Sequence, residues 1–169
     1  INNSLYAYEL SSAVRYPRGA QKDNVSKLEY PCIEYAVYGD SDADKAIVTY
    51  GRITSEAIDA VDELKSKGIS SMLVVLNQIK PIHEQAINLL QNKKEVYFFE
   101  EGVKNGGIGE TFGSYILENG LAPRFKLVAF PDCFVKQGKV NEILHEYQLD
   151  CDGMCNVILK DFGKVNENE

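Results

Sequence analysis

The sequence predicts an α/β domain in three layers, α/β/α, with a five-stranded, mostly parallel sheet that contains one antiparallel strand. Two observations carry this expectation. From Lys45 onward, short runs rich in Val, Ile and aromatic residues alternate with amphipathic stretches of helix length, the pattern that builds a parallel sheet covered on both faces. Before Lys45, a strand-like run is followed only by the turn Gly39-Asp40-Ser41-Asp42-Ala43-Asp44. A parallel crossover needs a dozen or more residues, so that first strand pairs antiparallel or sits apart.

The first strand falls within Cys32 to Tyr38, inside an otherwise polar stretch from Lys22 to Asp44. Lys45 to Tyr50 reads as a buried strand ending at Gly51, where a turn is allowed. Thr54 is then expected as an N-cap, with Ala57, Ile58, Val61 and Leu64 at helical spacing and Gly68 closing the helix. Ser71 to Asn77 is the next strand. Pro81 stops it, and Ile82, Ala86, Leu89 and Leu90 mark a second helix. Glu95 to Glu100 is strand-like by its aromatic content. Gly106, Gly107 and Gly109 open a third helix with Phe112, Tyr115, Ile116 and Leu117 on its apolar side and Gly120 at its end. Phe125 to Phe130 is the fifth strand. Val140, Ile143, Leu144 and Tyr147 give a further helix, and Met154, Val157, Ile158 and Phe162 the last.

At 169 residues the chain suits one domain, and 44% hydrophobic with 25% charged residues is ordinary for a globular protein. The net charge of -7, from 25 acidic and 18 basic residues, comes without any basic cluster, which argues against a nucleic-acid partner. No apolar run approaches the roughly 20 residues that span a bilayer, so no membrane partner is expected. Cys32, Cys133, Cys151 and Cys155 are too scattered for a disulfide framework, which makes a reducing cytoplasm the simpler setting. A chain that begins Ile1-Asn2-Asn3 with no secretory pattern is expected to be a piece of something longer.

Several groups invite chemistry. Glu100 and Glu101 form a carboxylate pair, but neighbours on a strand point to opposite faces and do not converge on one atom, so a structural or subunit-contact role is expected. The loop Asn105-Gly106-Gly107-Ile108-Gly109 could cradle an anion at a helix start. It lacks the Lys-Ser/Thr of a P-loop and the spacing of a dinucleotide fingerprint, so close backbone packing is the favoured reading. Cys151 and Cys155 are four apart and could share a helix face near His145, but without a clear fourth ligand they make a poor zinc site, and Cys at helical spacing is usually core packing. His83 and His145 fall in expected helices with no nucleophile motif beside them. Neither a metal nor a catalytic residue is expected on this chain.

Taken in order, Arg15-Tyr16-Pro17-Arg18-Gly19, Lys80-Pro81, Glu100-Glu101-Gly102, Asn105 to Gly109, Phe130-Pro131-Asp132-Cys133-Phe134 and Leu149 to Met154 resemble the C-terminal part of the deoxyxylulose-phosphate synthases, a branch of the transketolase family. The first and last of these motifs select that branch over transketolases and the β subunits of 2-oxoacid dehydrogenases. The chain departs from the branch at Ile82-His83, where Leu-Asp usually follows the Lys-Pro, and at Asn77, where an Arg is usual.

The resemblance implies that residues 22–169 form a transketolase C-terminal domain, and that residues 1–21 are the end of a preceding pyrimidine-binding domain and its linker. It implies an enzyme that converts pyruvate and glyceraldehyde 3-phosphate to 1-deoxy-D-xylulose 5-phosphate and CO2. Thiamine diphosphate and Mg2+ would be held by upstream domains of the same polypeptide, in a homodimer, so the isolated chain is expected to be inactive. By the same resemblance Arg18 binds the phosphate of the substrate, a task its planar guanidinium suits. Arg15 and Tyr16 are weaker candidates, because Pro17 biases Tyr16 toward an extended form that would simply present Arg18. The alternatives are a transketolase-type or dehydrogenase β-type domain, or a non-catalytic dimerisation or regulatory module.

Overall fold

The computed structural model describes residues 22–166. Five strands, β1 (Tyr35–Gly39), β2 (Lys45–Thr49), β3 (Met72–Leu76), β4 (Glu95–Val103) and β5 (Arg124–Phe130), form one sheet in the order β1-β3-β2-β4-β5. β1 pairs antiparallel, and the remaining pairings are parallel. The expected antiparallel strand is therefore present. Its partner is β3, with which Tyr35 lies opposite Leu76, while the chain neighbour β2 occupies the other side of β3.

Five α-helices cover the sheet: α1 (Thr54–Ser66), α2 (Glu84–Asn88), α3 (Ile108–Glu118), α4 (Val140–Glu146) and α5 (Cys151–Asn166). Strand side chains alternate between two cores, as the pleat requires. Ile47, Leu73, Val75, Tyr97 and Phe99 meet α1 and α5 on one face, whereas Val48, Val74, Val96 and Phe98 meet α2 and α3 on the other. α1 and α5 approach closely at Ala60, whose carbonyl accepts from Cys155 Sγ at 3.7 Å. The three layers read from the sequence are observed.

Three local expectations change. Thr54 is not an N-cap: the chain leaves β2 through a 3-10 turn, Gly51–Ile53, with Gly51 at φ +70°, and Thr54 is already helical and buried. The second helix is a short one, Glu84–Asn88, and His83 caps it from outside, accepting from Gln85 N–H through Nδ1. Leu117 is 74% exposed, because α3 turns only Phe112 and Ile116 fully inward. Phe162, Arg15, Tyr16 and Arg18 fall outside the residues whose side chains are described, as does the expected preceding-domain segment 1–21.

The chain enters along α1 through a 3-10 turn, Asp23–Lys27. Lys22 Nζ pairs with Glu56 at 2.7 Å and Asp59 at 3.0 Å, Asn24 Nδ2 donates to Asp59 at 2.7 Å, and Lys27 Nζ pairs with Asp62 at 2.6 Å. Tyr38 O–H donates to the same Asp62 carboxylate at 2.7 Å, so β1 and the entry segment share one anchor on α1.

Candidate functional site

β2 is followed by β3 on one side, and the chain then crosses to β4 on the other. The carboxyl ends of β2 and β4 thus flank the point where the winding reverses, the place where open α/β sheets usually bind ligands. Tyr50, Gly51 and Arg52 leave β2 there. Glu100 and Glu101 lie toward the end of β4, and the glycine loop leads from it into α3.

Glu100 is fully buried and its carboxylate fills that crevice. Oε2 accepts from Tyr50 O–H at 3.1 Å and from Ile108 N–H at 3.1 Å; Oε1 accepts from Gly109 N–H at 3.3 Å. Ile108 and Gly109 are the first two residues of α3, so Glu100 satisfies donors that a helix start leaves open and opposes the positive end of its dipole. Burial nevertheless raises the Glu100 carboxyl above its ordinary value, against the lowering effect of these three hydrogen bonds. Tyr50 is raised as well, by burial first and then by the neighbouring Glu100 charge.

The glycines make this arrangement possible. A Cβ on Gly107 would overlap Glu100 Oε1 and lie 2.6 Å from the Val103 carbonyl oxygen, and one on Gly109 would overlap Leu127 Cδ1 and lie 3.0 Å from Phe98 Cδ1. The loop does cradle an anion, as the sequence allowed, and the anion is a side chain of the same chain. A diphosphate does not fit this crevice: its N–H donors are occupied and a buried carboxylate would repel it.

Glu101 points the other way, as strand geometry requires. Arg52 grips it through both Nε, at 3.1 Å, and Nη2, with both side chains about 30% exposed. The two glutamates do not converge on one atom, and an acid–base pair is excluded. Tyr50 and Arg52 were not singled out by the sequence, although their position just past a central strand was the available signal.

The other candidates disperse. Cys151 and Cys155 interact with each other, which with burial pushes the Cys151 thiol up, while His145 turns to Asp150 at 2.7 Å. His145 also lines, with Lys104, Pro131 and Tyr147, an open groove of about 660 Å3 beside β5. Within the Phe130-to-Phe134 motif, Phe130 packs edge-on against Tyr147 with centroids 4.9 Å apart, and Phe134 is wholly exposed. Lys80-Pro81 is a cis peptide.

Compared with known proteins, residues 34–154 match the profile of the transketolase C-terminal domain. A 1-deoxy-D-xylulose-5-phosphate synthase from Caldanaerobacter subterraneus subsp. tengcongensis is 30% identical over 156 residues, 90% of this chain and 25% of that protein. One from Clostridium perfringens is 31% identical over 88% of this chain and 24% of its own length. One from Acinetobacter baumannii is 28% identical over 98% of this chain and 27% of its own. The chain therefore spans about a quarter of these relatives. Among solved structures, a split-gene transketolase described as an inactive β4 tetramer aligns with TM-score 0.66 and 23% identity over 75% of this chain and 41% of its own. Campylobacter jejuni transketolase aligns with TM-score 0.56 and 13% identity over 86% of this chain and 20% of its own. Both likenesses concern the fold.

Proposed function

The chain belongs to the transketolase C-terminal domain family, and we propose that it serves as the C-terminal domain of an enzyme that joins pyruvate to glyceraldehyde 3-phosphate, releasing CO2 and forming 1-deoxy-D-xylulose 5-phosphate. The observation that carries this reading is the alignment of relatives named as that synthase over about nine-tenths of the chain. The branch-selecting motifs at Arg15 to Gly19 and Leu149 to Met154 support it.

In this reading the two-carbon chemistry is supplied by thiamine diphosphate, held with Mg2+ by upstream domains of the same polypeptide in a homodimer. Residues 1–21 are the end of the domain before this one. Residues 22–169 contribute no catalytic group: the Glu100 network is a fastening that closes the switch point, and Arg52 with Glu101 presents a charged rim beside it. Arg18 reaches the substrate phosphate with its guanidinium fork, and Arg15 and Tyr16 shape the chain that presents it.

The test is an assay of the complete protein with pyruvate, glyceraldehyde 3-phosphate, thiamine diphosphate and Mg2+, run beside the 169-residue chain and an Arg18→Ala variant. Product is expected from the complete protein only. Losing charge-assisted bonds to phosphate is expected to lower kcat/KM for the aldehyde about 10- to 100-fold, chiefly through KM. A folded complete protein that makes no product would favour a transketolase-type or dehydrogenase β-type enzyme, or a dimerisation or regulatory module. An unchanged KM in the variant would remove Arg18 from the phosphate site.

A further inference from the structure

Two groups of His, Cys and carboxylate donors among the described residues are close enough to share an ion, Cys32 with Glu34 and His83, and His145 with Asp150 and Asp152. The second is committed elsewhere. Asp150 accepts from Gly153 N–H at 2.8 Å through Oδ1 and pairs with His145 through Oδ2, so it is fastening the start of α5. The first brings a thiol, a carboxylate and an imidazole, all half-buried, from two separate segments of the chain to within 4.8 Å of one another. We propose that Cys32, Glu34 and His83 bind a divalent ion of the zinc class.

The two segments are tied before any ion arrives. Asn77 N–H and Gln78 N–H both donate to the Glu34 carbonyl at 2.9 Å, and Asn77 Nδ2 donates to the Ile33 carbonyl at 3.2 Å. The His83 ring lies against Tyr35, with centroids 5.7 Å apart. Donors already held in place cost little further ordering when a ligand binds. Asn77 and His83, the departures from the synthase pattern, thus belong to one local structure: Asn77 ties the loops and His83 supplies the nitrogen.

The donor set selects the ion. A thiolate and an imidazole favour zinc and its neighbours over Mg2+ or Ca2+, which take oxygen ligands. Three protein ligands leave the fourth tetrahedral position to water. As the metal–sulfur bond forms, the Cys32 thiol gives its proton to solvent, so binding strengthens with rising pH. His83 gives up its 3.3 Å cap to Gln85 N–H whichever ring nitrogen it uses, since a neutral imidazole metallated at Nε2 carries its proton on Nδ1.

The experiment is a titration of the metal-stripped 169-residue chain with Co2+ as a spectroscopic probe, followed by displacement with Zn2+. One Co2+ per chain is expected, with a thiolate-to-cobalt charge-transfer band. Cys32→Ser should abolish the band. His83→Asn, which keeps a good capping side chain at the start of α2, should weaken binding at least ~10-fold, since even outer partners of metal ligands are worth that much. A Cys133→Ser/Cys151→Ser double variant should retain the band. No band at stoichiometric Co2+, a band that survives Cys32→Ser, or unweakened binding by folded His83→Asn would each overturn the proposal.

Discussion

Two buried glutamates on β4, Glu95 at its start and Glu100 five residues on, face opposite electrostatic demands, and stability against pH separates them. Burial pushes Glu95 up, but the Tyr97 O–H donating at 2.6 Å, Lys45 at 3.2 Å and Arg124 at 2.9 Å overcome it and hold its carboxyl below the ordinary 4.5. Its stabilisation is therefore present above pH 4.5 and is lost as pH falls through the depressed folded value. Glu100 has the opposite sign. With its carboxyl raised above 4.5, the folded protein holds that proton more tightly than the unfolded chain does. Its favourable contribution is present below pH 4.5 and declines as pH rises through the raised value. Denaturant melts across the acid range should show Glu95→Gln blunting the acid loss and Glu100→Gln removing the opposing decline. Glu95→Gln should cost up to roughly 3–5 kcal/mol, the range for a broken buried pair, because Lys45 is only 12% exposed where it meets Glu95, while the loss at Arg124, 46% exposed, is screened and smaller. Glu100→Gln should cost about 1–3 kcal/mol, since an amide NH2 placed against an N–H donor leaves a buried group unpaired. Unchanged pH profiles in both variants would refute this account.

The start of α3 shows how much of an element the sequence discloses. The glycines of the loop announced a tight strand-to-helix passage, and the alternation of β4 already placed Glu100 and Glu101 on opposite faces. The anion the loop receives was not legible, because the bond from Gly109 N–H to Glu100 depends on how far the chain folds back between them. Thr54 failed for a related reason: a capping residue type stood at the expected place, yet the turn at Gly51–Ile53 had already begun the helix. Gly107, just before α3, and Gly113, within it, should separate close approach from helix propensity. Gly107→Ala would drive a methyl into the Glu100 carboxylate and the Val103 carbonyl, and backbone cannot yield as a side chain can. A loss of about 1–3 kcal/mol is expected, as for overpacked cores. Gly113→Ala meets the Phe125 ring, with Cε1 nearest at 3.1 Å, and about 1 kcal/mol gained in helix propensity offsets that squeeze. Equal effects of the two substitutions in thermal melts would contradict the assignment of Gly107 to the Glu100 cradle.

At the scale of the molecule, the question is where this unit begins, and its energetics give an answer that truncation can test. The layers and strand pattern were readable because hydrophobic period and turn residues agree along the whole chain; the pairing of β1 with β3 was not, since spacing restricts direction without choosing a neighbour. The entry segment is tied to α1 by Lys22, Asn24 and Lys27, and Leu28 is buried in the core shared by α1 and α5. Burying a Leu side chain contributes about 1.5–3 kcal/mol, and each exposed ion pair only about 0.2–1. If residues 1–21 belong to a preceding domain, removing them should leave the melting temperature almost unchanged. Removing residues 1–28 should cost about 2–4 kcal/mol, and at roughly 2–4 °C per kcal/mol for a chain of this size the midpoint should fall by about 5–15 °C. A large drop on the first truncation would mean that residues 1–21 pack as part of this unit, and the boundary would move toward Ile1.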